Sequence, residues 1–145
     1  MKKSIVFSAF IFLFFIQSCI PFLIIDYNKE KEIQKVIEIA KQSHFDNFPE
    51  TNYNTVFNKI SKGNYRWESS GIENNCSCLV NITYADPKLF YNQTLCLLFS
   101  FRYDTQRKEI ELEKVVDINN NRLYSEPEGI AYVTMIIMKI YNGNG

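Results

Sequence analysis

The chain has 145 residues, 16 basic against 16 acidic, and is 46% hydrophobic and 15% aromatic. Once an N-terminal segment is set aside, that is enough for one compact domain and too little for two. Charges of both signs are interspersed along the folded part, so no long-range positive field concentrates the protein on phosphate backbones, and nucleic acid is not an expected partner.

Met1-Lys2-Lys3 opens the chain, an apolar run from Ile5 to Ile16 broken only by Ser8 follows, and Gln17-Ser18-Cys19 comes next. A basic start, a short hydrophobic stretch and a small residue before a cut are the parts of an export signal. Ile16-Gln17-Ser18-Cys19 resembles the lipobox of bacterial lipoprotein signal peptides: an aliphatic residue, a tolerated residue, a small residue, then cysteine. The resemblance implies cleavage before Cys19 and acylation of its thiol, with palmitate as the expected label, and of the new amino group. It divides the chain into a signal peptide over 1–18, a lipid-anchored linker over 19–27 and a single domain over 28–145. Two features depart from the usual pattern. Gln17 is bulky for its place, and Ile20-Pro21-Phe22-Leu23-Ile24-Ile25 prolongs the apolar character past the cut. Read as one helix, Ile5 to Ile25 is about the ~20 residues needed to cross a bilayer. Ser18, Cys19 and Pro21 are poor choices inside a lipid-facing helix. Under either reading Lys2 and Lys3 bias the N-terminus inward and place Asp26 onward outside the cytoplasmic membrane, in the cell envelope. Ile20, rather than an acidic residue, after Cys19 favours sorting to an outer membrane.

Beyond Asp26 the period is helical. Ile33, Val36, Ile37 and Ala40 recur at spacings of three and four among Lys and Glu, which predicts a helix over Asn28–Ser43 with one buried stripe. Pro49 separates it from a second helix over Asn52–Lys62, with Tyr53, Val56, Phe57 and Ile60 on one face, Thr51 as its cap and Gly63 at its end. Alternation then takes over. Tyr65, Trp67 and Ser69 share one side of a short strand, and Cys78, Val80, Ile82 and Tyr84 share one side of the next, which Asp86-Pro87 closes. A third strand over Thr94–Tyr103 carries Leu95, Leu97, Phe99, Phe101 and Tyr103 on one face. A fourth over Glu109–Ile118 puts Ile110, Leu112, Val116 and Ile118 inward and Glu109, Glu111, Glu113 and Asp117 outward. Lys114 then falls on the apolar face, as an inward charge near an edge does. Short polar connections at Asp104–Lys108 and Asn119–Asn121 suit an antiparallel meander with one wet face. Ser125-Glu126-Pro127-Glu128 reads as a capping box with Pro in the first turn, and Ile130, Val133, Ile136, Ile137 and Ile140 give the following helix a wide apolar face ending at Asn142-Gly143. The expected fold is α+β: two helices, a four-stranded antiparallel meander and a C-terminal helix packed on the sheet in a two-layer sandwich.

The helix ending in Phe57, Trp67-Glu68, the strand Leu98-Phe99-Ser100-Phe101, the strand end Val116-Asp117-Ile118-Asn119 and the terminal Lys139-Ile140-Tyr141 together resemble a small domain of bacterial lipoproteins and membrane-anchored proteins of unknown function. The likeness spans about Phe48–Tyr141. It implies architecture and exported location and transfers no activity. The cystatin-like and nuclear-transport-factor-2-like folds, which also set helices on a curved antiparallel sheet, stay open as alternatives.

Few residues carry chemistry. Cys76 and Cys78 share a strand face; with the hairpin turning around Phe90, Cys96 falls opposite Tyr84 and out of bridging reach, so all three read as structural thiols. Two close cysteines without histidine make half a metal site, and none is assigned; no cofactor motif is present. His44, the one histidine, sits where it meets the last carbonyls of the first helix, with no local nucleophile and carboxylate to complete a triad. Neighbouring carboxylates on one strand wrap a cation poorly and cannot face each other across a sugar. Trp67, Tyr65, Phe99, Phe101 and Tyr103 read as core, or as the floor of a pocket under the last helix. The functional expectation is a membrane-anchored envelope lipoprotein, lipidated at Cys19, acting as a non-catalytic binding or accessory protein on a protein partner. The alternatives are a small-ligand carrier or enzyme with a cavity between sheet and last helix, and an inhibitor of an extracellular hydrolase.

Overall fold

The computed structural model describes residues 27–86 and 91–143. The expected export signal, the lipobox-like segment with Cys19 and the expected linker up to Asp26 lie outside the described residues. The chain divides into two units, residues 1–32 and 33–145. Of the first, the described residues 27–32 are helical, and the Lys31 ammonium stands 5.9 Å from the centre of the Tyr27 ring. Among the described residues, no helix is long and apolar enough to cross a membrane.

The second unit is α+β. Its helical residues 33–42 form α1, whose Val36, Ile37 and Ala40 are buried in the core as their spacing requires. The helix α2 spans Tyr53–Ser61 and buries Tyr53, Val56, Phe57 and Ile60. Its cap is Asn52 rather than Thr51: the Asn52 carboxamide oxygen accepts from the Thr55 amide at 2.8 Å. Lys62 then takes a left-handed conformation, φ 53°, and the Gly63 amide returns to the Asn58 carbonyl at 3.0 Å to close the helix.

Five strands follow in the spatial order of the sequence, all antiparallel: β1 Tyr65–Ser69, β2 Asn75–Asp86, β3 Tyr91–Asp104, β4 Glu109–Asp117 and β5 Arg122–Tyr124. The expected meander is therefore right in kind and one strand short. The inner face is set by two cross-strand rows, Trp67–Cys78–Phe99–Val115–Tyr124 and Tyr65–Val80–Leu97–Asp117–Arg122. Against the first row lies Phe57, whose ring centre is 4.6 Å from Phe99 and 5.8 Å from Trp67. Phe57, Phe99 and Phe101 are fully buried, and each contributes about 1.5–3 kcal/mol by leaving water. The last helix, α3, spans Pro127–Tyr141 with Pro127 in its first turn. The expected capping box does not form: Glu126 is the cap residue and its side chain makes no cap bond. The buried stripe of α3 is Val133, Thr134, Ile137 and Met138, with Ile130, Ile136 and Ile140 only half-buried.

The main departure from simple alternation is in β4. Ser100 faces Lys114 while Phe101 faces Leu112, so Glu113 is an extra residue in the ladder, a β-bulge. Ile110 and Leu112 point inward as expected, but beyond the bulge Val115 and Asp117 take the inner face, and Ile118 is 48% exposed. Lys114 is consequently exposed on the outer face and is no inward charge. The physical reason is in the order Glu113-Lys114-Val115-Val116. Unbroken alternation would carry the Lys114 ammonium into the core; slipping the ladder by one keeps it in water, and Val116 and Ile118 turn outward in exchange.

Asp117, expected outward with the glutamates, is 6% exposed. Its carboxylate accepts from the Asn120 amide at 3.2 Å and from the Asn120 side-chain nitrogen at 2.7 Å, which shapes the turn into β5. That satisfied carboxylate is what permits an acid on the inner face.

Candidate binding site

The three described cysteines are free thiols. Cys78 faces Phe99 and Cys76 faces Phe101 on the inner side, while Cys96 faces Asn81 on the outer side. The expected pairing of Cys96 with Tyr84 is displaced by three residues, because the ladder closes at Asp86–Tyr91 rather than symmetrically about Phe90. The separation of Cys96 from the other two holds and is strengthened by the opposite face. Burial pushes the Cys76 thiol up to about 12 and raises that of Cys78 too. Thiols of that kind are poor nucleophiles and poor metal ligands at neutral pH. Among the described residues, no group of three His, Cys, Asp or Glu side chains converges on a point where a metal ion would sit.

His44 does not reach the end of α1 as expected. Its Nδ1 lies 3.3 Å from the Phe45 carbonyl oxygen. The Ile39 carbonyl is taken instead by Ser43, whose hydroxyl donates at 2.9 Å and whose amide donates at 3.0 Å. Trp67 and Tyr65 stand over α2, where the Asn54 carboxamide oxygen accepts from the tyrosine hydroxyl at 3.1 Å and the indole nitrogen at 3.4 Å. Trp67 also lies 5.4 Å from Phe101, ring centre to ring centre. These aromatics are core, and the sheet face beside Trp67 is filled.

The open space lies at the other end of the sheet. β5 pairs only with Val115–Asp117, so the first half of β4 has no strand beyond it among the described residues. There a half-open cleft of about 720 Å³ is bounded by the loop Phe45–Asn47, by β4 from Glu109 to Glu113 and by the start of α3 at Pro127, Ile130, Ala131 and Thr134. Tyr53, Ile110 and Leu112 contribute its apolar side, with Tyr53 and Phe45 stacked edge to face at 4.4 Å. Burial raises the Tyr53 phenol, and Asp46 nearby adds to the shift, so this ring stays neutral.

The rim is ionic. Arg102 donates to Glu111 at 2.8 Å and stands 3.4 Å from Glu113, while Arg107 donates to Asp104 at 2.8 Å and also pairs with Glu111. Asp104 also accepts from the backbone amides of Arg107 and Gln106, at 2.9 Å each, and these contacts, chiefly with Arg107, hold its carboxyl at about 2. Of the glutamates read from the sequence as a solvated outer stripe, Glu111 and Glu113 are thus tied into a cross-strand network with two arginines whose part the sequence reading missed. Charged residues and a bulge on an open edge also discourage indiscriminate strand pairing.

Comparison with protein-family models, curated proteins and solved structures finds no match to this chain.

Proposed function

We propose that the chain is a membrane-tethered, non-catalytic binding or accessory protein of a bacterial cell envelope, held through Cys19 and engaging a protein partner at the cleft beside β4. The tether is supported by Lys2, Lys3, the apolar run from Ile5 and the sequence Ile16-Gln17-Ser18-Cys19. The observation that carries the binding reading is the cleft itself: an aromatic and aliphatic wall under a charged rim, left open by the shortness of β5. Its lining holds four carboxylates, Asp46, Glu109, Glu111 and Glu113, against two guanidiniums, Arg102 and Arg107. A polar segment of a partner bearing Lys or Arg complements that balance. The volume also falls within the ~300–1,000 Å³ of small-ligand sites, which favours a ligand carrier as the second reading.

Two measurements test the proposal. Radiolabelled palmitate should enter the wild-type chain and not Cys19→Ser; equal labelling of both would remove the lipid tether. A photoreactive amino acid at Ala131, on the cleft wall, should give a discrete protein adduct in intact cells, and the same probe at Ser70 should not. Adducts indistinguishable between the two sites, or none from Ala131, would remove the cleft as the partner site.

A further inference from the structure

We propose that the outer face of the sheet is the interface of a symmetric homodimer, with the two-fold axis running between β2 and β3. A one-sided antiparallel sheet normally turns polar residues outward. Here the central outer row is apolar from β2 to β5, where Leu79, Leu98, Val116 and Leu123 lie opposite one another, and only its β1 end is charged, at Arg66. Leu123 is 61% exposed, and Ile118, just past the end of β4 on this side, is 48% exposed. The buried side chains of α1, α2 and α3 all join the inner-face core, so no described helix covers this row.

The neighbouring row names the occupant. It runs Glu68, Ser77, Ser100, Lys114 from β1 to β4, with opposite charges at its two ends. A two-fold axis parallel to the strands and midway between β2 and β3 exchanges β1 with β4 and β2 with β3. It therefore sets Glu68 against Lys114 of the second copy, Ser77 against Ser100, and Leu79 against Leu98, each contact occurring twice. Face-to-face sheets cross at about −30°, which displaces the row ends by less than long Glu and Lys side chains span. Glu68 already pairs with Arg66 through one carboxylate oxygen, leaving the other for the lysine. Four strands at ~4.8 Å spacing and about eight residues at ~3.3 Å make a patch of roughly 500 Å² per copy. That is small for a permanent interface and fits a dissociation constant of about micromolar order.

The test is sedimentation equilibrium of the full chain in density-matched micelles, with far-ultraviolet circular dichroism as the check on folding. The wild type should pass from monomer to dimer as concentration rises. Leu98→Glu, a half-buried outer-face position, should remain folded and monomeric. Glu68→Lys and Lys114→Glu should each raise the dissociation constant about tenfold, because one substitution alters two contacts, and together they should restore it. A wild type monomeric up to about 1 mM overturns the proposal, as does a dimer indifferent to Leu98→Glu. A dimer broken by both charge changes and not rescued by their combination overturns the axis. A monomer that binds neutral phosphatidylcholine vesicles through Leu98 would assign the face to lipid and also overturn the dimer.

Discussion

Deleting Glu113 separates a bulged β4 from a regularly alternating one. In the bulged ladder Glu113 is the extra residue between Leu112, which faces Phe101, and Lys114, which faces Ser100. Its removal leaves Ile110, Leu112, Val115 and Asp117 in strict alternation on the inner face, which is where they already point. The interaction lost is the Arg102–Glu113 ion pair at 3.4 Å, between side chains 53% and 33% exposed, and an exposed pair of that kind is worth about 1 kcal/mol or less. A regular strand behaves oppositely. There Val116 and Ile118 face inward, and the same deletion turns both to solvent at about 1.5–3 kcal/mol each, or about 3–6 kcal/mol together. Trp67, the single tryptophan, lies in the inner row that contains Val115 and packs 5.4 Å from Phe101, so its fluorescence reports the fold at this place. Urea unfolding of the full chain in micelles should show a loss no greater than about 1 kcal/mol for the Glu113 deletion. Deletion of Leu112 instead, which brings a glutamate opposite Phe101, should cost more than about 3 kcal/mol. A loss above about 3 kcal/mol on deleting Glu113 would refute the bulge.

Phe57→Ala empties the meeting point of α2 with Phe99 and Trp67 and should cost about 3–5 kcal/mol, while Tyr132→Ala, at an exposed position of α3, should stay within about 0.5 kcal/mol. In a Cys19→Ser background at low protein concentration, maleimide should label only Cys96 in the folded chain and all three cysteines in denaturant. The Cys76 thiol, with its midpoint at about 12, is ionised to only about one part in 10⁵ at pH 7, and rapid labelling of Cys76 would contradict its burial. The carboxyl of Asp104 should titrate near 2 rather than 3.8 when followed by NMR. Because the folded value is the lower one, its stabilising effect is complete above 3.8 and is lost as pH falls toward about 2; Arg107→Ala should move the midpoint back upward.

Helices α1 and α2 were legible because their apolar residues recur at a helical period and nothing in the tertiary structure competes with it. Strands β2 and β3 were legible for the parallel reason, with long alternating runs that fix which side chains share a face, while their mutual register, set by the closure at Asp86–Tyr91, was misplaced by three residues. The failures occur where the local pattern is short or breaks. A bulge moves every later side chain to the other face, so extending the alternation of Ile110 and Leu112 through Lys114 misassigned Val115, Val116, Asp117 and Ile118 together. The doubled pairs Glu113-Lys114 and Val115-Val116 were the available signal. β5 has three residues, too few to show a period, and is recognisable only by its pairing with Val115–Asp117. The cleft was not legible at all. Its walls come from the loop after α1, from α2, from β3 and β4 with their connecting turn, and from the start of α3, and no spacing in the sequence unites them.

The same two irregularities account for both exposed surfaces. Because β5 is short, it shields only the second half of β4, and the sheet edge from Glu109 to Glu113 is left beside α3 as one wall of the cleft. Because the ladder slips at Glu113, Val116 turns outward and completes the row from Leu79 through Leu98 to Leu123, while Lys114 turns outward opposite Ser100. A regular β4 would have sent Val116 into the core and Lys114 with it, leaving the outer face without its central aliphatic residue and without the charge that answers Glu68. Restoring regular geometry by deleting Glu113 keeps those outward positions, so it should preserve self-association while removing a carboxylate from the cleft rim. Loss of the dimer with retention of partner crosslinking from Ala131 would reverse that assignment of the two surfaces.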